Sequence, residues 1–214
     1  MRIRLIIFDL DGTLVDTVED LRASLNHAIA PLGISPLTYE QTRDYVGEGI
    51  HNLVLKVIGQ ERRSILEDVV DAFTRHYTQN VCVHSKAYAG VDETLCALDG
   101  ISKAVLSNKR EALSRLLLER LGLAHHFEVI AGPDTVPERK PSPRAVQFML
   151  ERFNVRPEEA LMVGDSIYDI DAALAAGVEV AAATYGFRHR STLTRATYLI
   201  DSFPDLLRLG PITN

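Results

Sequence analysis

Hydrophobic positions along this chain change period several times, and each change marks an element. Leu5-Ile6-Ile7-Phe8 is a short unbroken apolar run, the pattern of a strand buried on both faces. Asp16 or Thr17 can cap a helix in which Leu21, Leu25, Ala28 and Ile29 recur at helical spacing, until Pro31, Gly33 and Pro36 end it. Residues 38 to 80 stay helical in character. Tyr45, Val46, Ile50, Leu53, Val54 and Val57 form one periodic set, and Ile65, Leu66, Val69, Val70, Phe73 and Tyr77 form another. Tyr88-Ala89-Gly90-Val91 turns the chain, and strands then alternate with helices. The strands read at 103–106, 127–130, 160–163, 178–183 and 198–200, and the helices at 113–121, 143–153 and 170–176.

This alternation predicts an α/β fold: a doubly wound parallel sheet, Rossmann-like, with helices on both faces. The helical block interrupts it after the first strand, as an inserted cap domain. The expected division is a core of residues 1–15 and 86–214 and a helical cap of 16–85. An insertion at the carboxyl end of a strand is placed to act as a lid.

Composition narrows the class. A chain of 214 residues, 46% hydrophobic and 24% charged, fits an ordinary soluble globular protein with a sizeable core. A net charge of -6 gives no reason to expect nucleic acid, which calls for a basic face. Cys82 and Cys96 make neither a CxxC pair nor a disulfide pattern and read as reduced, mostly buried thiols. The N-terminus runs straight into the first strand without a signal-peptide pattern, and no apolar run spans a bilayer, so the expected location is the cytoplasm.

Four stretches carry candidate chemistry. The first strand ends in Asp9 and Asp11, followed by Gly12, which lets the chain turn away. Two carboxylates held this close need a cation or a shared proton, although Asp and Gly are also ordinary turn residues. Ser107-Asn108-Lys109 follows a strand and opens a helix, where a hydroxyl, an amide and free N–H groups suit an anion or a plain helix cap. Lys140 is displayed from a loop stiffened by Pro141 and Pro143, as a point cation for a phosphate or as a solvated side chain. Gly164-Asp165-Ser166-Ile167-Tyr168-Asp169 again runs a strand into carboxylates at a helix start, where both also serve as cap residues. The combination decides. All four should open on one sheet edge, where oxygen ligands suit Mg²⁺ and a lysine with helix N–H groups suits a phosphoryl group.

Through these motifs the chain resembles the haloacid dehalogenase-like hydrolases, close to their phosphoglycolate phosphatase group. The resemblance rests on Asp9-Leu-Asp11-Gly-Thr13, Ser107-Asn108-Lys109, Lys140-Pro-Ser-Pro143 and Gly164-Asp165-Ser-Ile-Tyr-Asp169, and covers nearly the full length. It implies that Asp9 is the nucleophile and forms an aspartyl-phosphate, and that Asp11 serves as acid and then as base. It further implies Mg²⁺ held by Asp9, the Asp11 carbonyl and Asp165, with Asp169 in support. Ser107, Asn108 and Lys140 would hold the phosphoryl oxygens. The implied activity is hydrolysis of a small phosphomonoester such as 2-phosphoglycolate by a monomer or homodimer, with neither nucleic acid nor membrane as partner. The alternatives are a phosphosugar mutase or a pyrophosphate or nucleotide phosphatase. A phosphate-binding regulatory protein without turnover is the reading from another class.

Substrate selection is expected in the cap. Gly47-Glu48-Gly49 is the loop best suited to reach a substrate, since two glycines permit close approach, and it is equally a helix–helix joint. Arg43, Lys56 and Lys86 are surface cations that could meet a carboxylate. His125 and His126, as sequence neighbours, should point apart and carry no special chemistry.

Overall fold

A computed structural model describes residues 3–213. Contacts divide the chain into two compact units: one runs up to Asp16 and resumes at Ala87, and the other is Thr17–Lys86.

The first unit is built on six parallel strands: β1 (Leu5–Phe8), β2 (Ser102–Leu106), β3 (Val129–Ala131), β4 (Ala160–Gly164), β5 (Glu179–Ala183) and β6 (Tyr198–Ile200). Their order across the sheet is β3-β2-β1-β4-β5-β6. β1 is central, with Ile7 opposite Ala104 on one side and Met162 on the other. Every residue of β1 and β4 is buried, as parallel strands covered on both faces require. The chain winds outward from β1 to β3 and then crosses back to β4, so the winding direction reverses beside β1. Such a reversal opens a crevice at the carboxyl ends of the strands.

The second unit is helical, with α1 (Val18–Ile29), α2 (Tyr39–Tyr45), α3 (Ile50–Ile58) and α4 (Leu66–Gln79). α4 packs against α1 and α3, burying Val69, Val70, Phe73 and Tyr77, which recur at helical spacing. Thr38 and Gln41 close the start of α2 with reciprocal side-chain bonds. Asp20, in the first turn of α1, is buried and accepts hydrogen bonds from the N–H groups of Val83, His84 and Ser85 and from the Ser85 hydroxyl.

Four helices of the first unit complete the layers: α5 (Val91–Ala97), α6 (Glu111–Arg120), α7 (Pro143–Phe153) and α8 (Ile167–Ala175). The sheet and α7 and α8 share a core that includes Leu5, Ile7, Leu106, Val146, Met149, Met162, Ile170 and Val180. Phe8 also packs its ring against Phe127 and Phe203. The sequence pattern places a strand at 127–130, but the pairing covers Val129–Ala131: Phe127 is apolar because it covers Phe8, not because it joins the ladder. Among the described residues no helix is long and apolar enough to cross a membrane.

Candidate active site

The candidate side chains come from the segments that follow the carboxyl ends of β1, β2, β3 and β4. Asp9 extends β1 by one residue, its N–H donating to the Val163 carbonyl at 2.8 Å. The chain then folds back through a tight loop in which Gly12 N–H reaches Val15 O and both Leu14 and Val15 N–H reach Leu10 O. Gly12 has φ +88°, and a Cβ there would lie 2.3 Å from the Asp165 Oδ2. The position therefore needs glycine for its backbone angle and for the approach of a carboxylate.

Lys140 comes from the loop after β3, preceding α7. Its ammonium, buried, donates to Asp9 Oδ1 at 2.8 Å, to Asp169 Oδ1 at 2.6 Å and to the Leu106 carbonyl at 2.6 Å. All three hydrogens of the ammonium are thus placed. The Asn108 amide donates to the Lys140 carbonyl at 3.0 Å, tying the lysine loop to the end of β2. Ser107 is buried there too, with its Oγ accepting from the Lys109 N–H. Ser142 then caps α7 by accepting from Arg144 N–H, with Pro143 in the first turn, so a stiff helix start follows the lysine.

Asp165 and Asp169 come from the end of β4 and the first turn of α8. Asp165 Oδ2 accepts the Phe187 N–H at 2.6 Å. Asp169 Oδ2 accepts from both the N–H and the hydroxyl of Ser166, which closes the helix start, while its Oδ1 holds Lys140. One side chain therefore caps a helix and aims a lysine.

The electrostatics follow from burial. Desolvation pushes Asp9 up to about 7; Lys140 opposes this, and the charges of Asp169 and Asp11 add to it. Asp165 is raised well above the usual carboxylate range, by burial first and then by Asp9 and Asp169, against the Phe187 N–H and Arg188. Burial would also favour a neutral Lys140, but Asp169 and Asp9 outweigh it and keep the ammonium charged. Oxygen atoms of Asp9, Asp165 and Asp169 lie within 4.8 Å of one another. Three buried carboxylates, two of them on the Lys140 ammonium, form an all-oxygen donor set that a hard divalent cation fits, and its charge would relieve the crowding.

Asp11 goes elsewhere. Its Oδ1 accepts from Lys109 Nζ at 2.5 Å, with the two side chains 12% and 8% exposed. Sequence reasoning passed over Lys109 although it closes the Ser107-Asn108-Lys109 motif. It also passed over the segment after β5, where Tyr185 OH donates to the Thr13 carbonyl and Phe187 N–H to Asp165.

Gly47, Glu48 and Gly49 belong to the helical unit, immediately before α3. Gly47 and Gly49 take φ of 123° and 80°, and Glu48 accepts from Asn52 and from Lys56. Two expectations need correction. His125 and His126 lie in one short 3-10 helix, Ala124–His126, and their rings sit 3.9 Å apart rather than pointing away from each other. Cys96 is exposed, because Val91, Thr94 and Leu95 bury the other face of α5, and Cys82 is half-buried.

The family model described as "Haloacid dehalogenase-like hydrolase" matches residues 6–183. A phosphoglycolate phosphatase of Aquifex aeolicus is 40% identical over 186 residues, covering 86% of this chain and 86% of that protein. A phosphoglycolate phosphatase of Chromobacterium violaceum is 37% identical over 214 residues, covering 97% and 96%. Among solved structures, a predicted phosphoglycolate phosphatase from Haemophilus somnus superposes with a TM-score of 0.89 at 30% identity, over 97% of this chain and 98% of that one.

Proposed function

This chain belongs to the haloacid dehalogenase-like hydrolases and is a phosphatase; we propose that it hydrolyses a small phosphomonoester, 2-phosphoglycolate, through an aspartyl-phosphate on Asp9 with Mg²⁺ as cofactor. The observation that carries this reading is the buried Lys140 ammonium shared between Asp9 and Asp169, with Asp165 alongside. The common name of the relatives supports the choice of substrate.

Lys140 fixes Asp9 Oδ1, so the second carboxylate oxygen is the one left to attack phosphorus. A carboxylate is a weak nucleophile and depends on being held in line with the leaving oxygen. As the Asp9 oxygen bonds to phosphorus, the ester P–O bond breaks and the departing alkoxide takes a proton from Asp11. In the second half Asp11 takes a proton from water, the water oxygen bonds to phosphorus, and the Asp9–phosphorus bond breaks. Ser107 holds a phosphoryl oxygen, Lys140 sets its positive charge beside the phosphoryl group while its hydrogens stay on Asp9, Asp169 and Leu106, and Asn108 keeps the lysine loop in register. Asp9, Asp165 and the Asp11 carbonyl would hold Mg²⁺, with Asp169 in support; when bound it supplies positive charge against the phosphoryl oxygens and the carboxylates. We assign substrate selection to the helical cap, with Gly47, Glu48 and Gly49 as the residues that exercise it.

The test is phosphate release by the full chain, with and without Mg²⁺, from 2-phosphoglycolate, sugar phosphates, nucleotides and pyrophosphate. We expect Mg²⁺-dependent turnover, with 2-phosphoglycolate preferred. Asp9→Asn should cut kcat by about 10⁴-fold or more while leaving the circular dichroism spectrum unchanged. Near-normal turnover by that variant refutes the covalent route, and preference for another phosphate refutes the substrate.

A further inference from the structure

Among the described residues two groups of side chains bring three metal-ligating atoms within 4.8 Å of one another. One is the carboxylate cluster above. The other, Asp92, Cys96 and His126, contains none of the residues assigned to catalysis.

We propose that Asp92, Cys96 and His126 form a second metal site, selective for a borderline transition ion such as Zn²⁺, that clamps α5 to the turn Ala124–His126. Asp92 and Cys96 are four residues apart on α5, hence neighbours on one face of that helix. Val91, Thr94, Leu95 and Leu98 bury the opposite face, which leaves the pair outward and fixes where it stands. His126 arrives from the other side. Its turn is closed by His126 N–H to Leu123 O and Phe127 N–H to Ala124 O, and the next residue, Phe127, is anchored edge-on against Phe8.

The imidazole is also held. Its side chain is 7% exposed, and its Nε2 lies 2.7 Å from Asp92 Oδ1. The i,i+4 spacing sets the Cys96 thiol beside Asp92, and the His126–Asp92 contact brings the imidazole to the same pair, so atoms from two separate segments lie within 4.8 Å of one another. One carboxylate oxygen, one imidazole nitrogen and one sulfur make a mixed donor set. Hard ions such as Mg²⁺ prefer oxygen alone, whereas Zn²⁺ takes all three donor types and commonly keeps a fourth position for water. Binding would replace the proton between His126 and Asp92 and ionise the Cys96 thiol. The metal would cross-link segments about thirty residues apart in sequence and so stabilise the folded form.

The full chain, reduced and in excess Mg²⁺ so that the carboxylate cluster is occupied, is titrated with Co²⁺, which takes the ligands of Zn²⁺ but has visible and near-ultraviolet bands. We expect a thiolate-to-cobalt charge-transfer band that saturates at one Co²⁺ per chain and is displaced by Zn²⁺. The band should vanish in Cys96→Ser, persist in Cys82→Ser, and need about tenfold or more Co²⁺ in His126→Ala and Asp92→Asn. Zn²⁺ should raise the melting temperature of the wild type and not of Cys96→Ser, while the Mg²⁺-supported activity of Cys96→Ser stays at the wild-type level. Absence of the band in the wild type, its survival in Cys96→Ser, or its loss in Cys82→Ser overturns the assignment.

Discussion

The Lys109–Asp11 contact shows how much one side chain can contribute without belonging to the phosphate cradle. An ammonium 2.5 Å from Asp11 Oδ1, in a pair largely shielded from solvent, fixes the orientation of the group proposed to give and take the proton. In the proposed cycle this contact would weaken as Asp11 takes the proton and re-form as it leaves, which would make Lys109 a positioning residue. Lys109→Met keeps most of the stem and removes the charge. We expect kcat to fall on the order of tenfold, ~1.4 kcal/mol of barrier, with KM little changed. A rise in KM at constant kcat would place Lys109 on the substrate instead, and unchanged kinetics would remove it from the mechanism. Its importance was hidden in the sequence because the partner lies 98 positions away, and no local pattern encodes that distance. Gly12 was more legible: a glycine directly after two carboxylates signals a sharp turn, although the approach of Asp165 that also demands it is visible only in three dimensions.

Elements were readable in proportion to how locally they are determined. α7 carries its own boundaries, with Ser142 as cap, Pro143 in the first turn and Asn154 in the left-handed conformation at the end, and the sequence places it at the same residues. β1 and β4 are unbroken apolar runs and were equally plain. α5 was not read, because seven residues with three buried positions give too short a periodic signal. The hub at Asp20 was invisible for the same reason as Lys109, since its partners lie 63 to 65 residues on. There one carboxylate of α1 organises the backbone of Val83, His84 and Ser85. Asp20→Ala strands those buried donors and should lower unfolding free energy by about 2–3 kcal/mol in urea denaturation. Hydrogen exchange at the amides of residues 83–85 should quicken more than across the β-sheet. A loss below the scatter of surface substitutions would show that water replaces the carboxylate at little cost.

At the scale of the first unit, the parallel sheet explains why residues as far apart as 9, 140 and 165 come together: every strand end of that sheet points the same way, and the winding reverses beside β1. The same arrangement concentrates carboxylates where the core excludes water, and this links stability to pH. Asp9 shifts from its ordinary 3.8 to about 7 in the folded, metal-free protein, chiefly through burial. The folded chain therefore keeps a proton that the unfolded chain releases. Its contribution to stability is complete below the unfolded value and is lost as pH rises through about 7. Asp165, raised by the same cause, acts in the same direction. Mg²⁺ held by the ionised carboxylates, as proposed, would restore the loss, so its stabilising effect should grow with pH across this window. Melting curves with and without Mg²⁺ should differ little near about pH 5 and clearly near about pH 8. In Asp9→Asn, which has no proton to lose at that position, the pH dependence of the Mg²⁺ effect should flatten. An equal gain from Mg²⁺ at both ends of the range would mean that the ion binds away from the buried carboxylates, and the proposed use of Asp9 and Asp165 as ligands would fail with it.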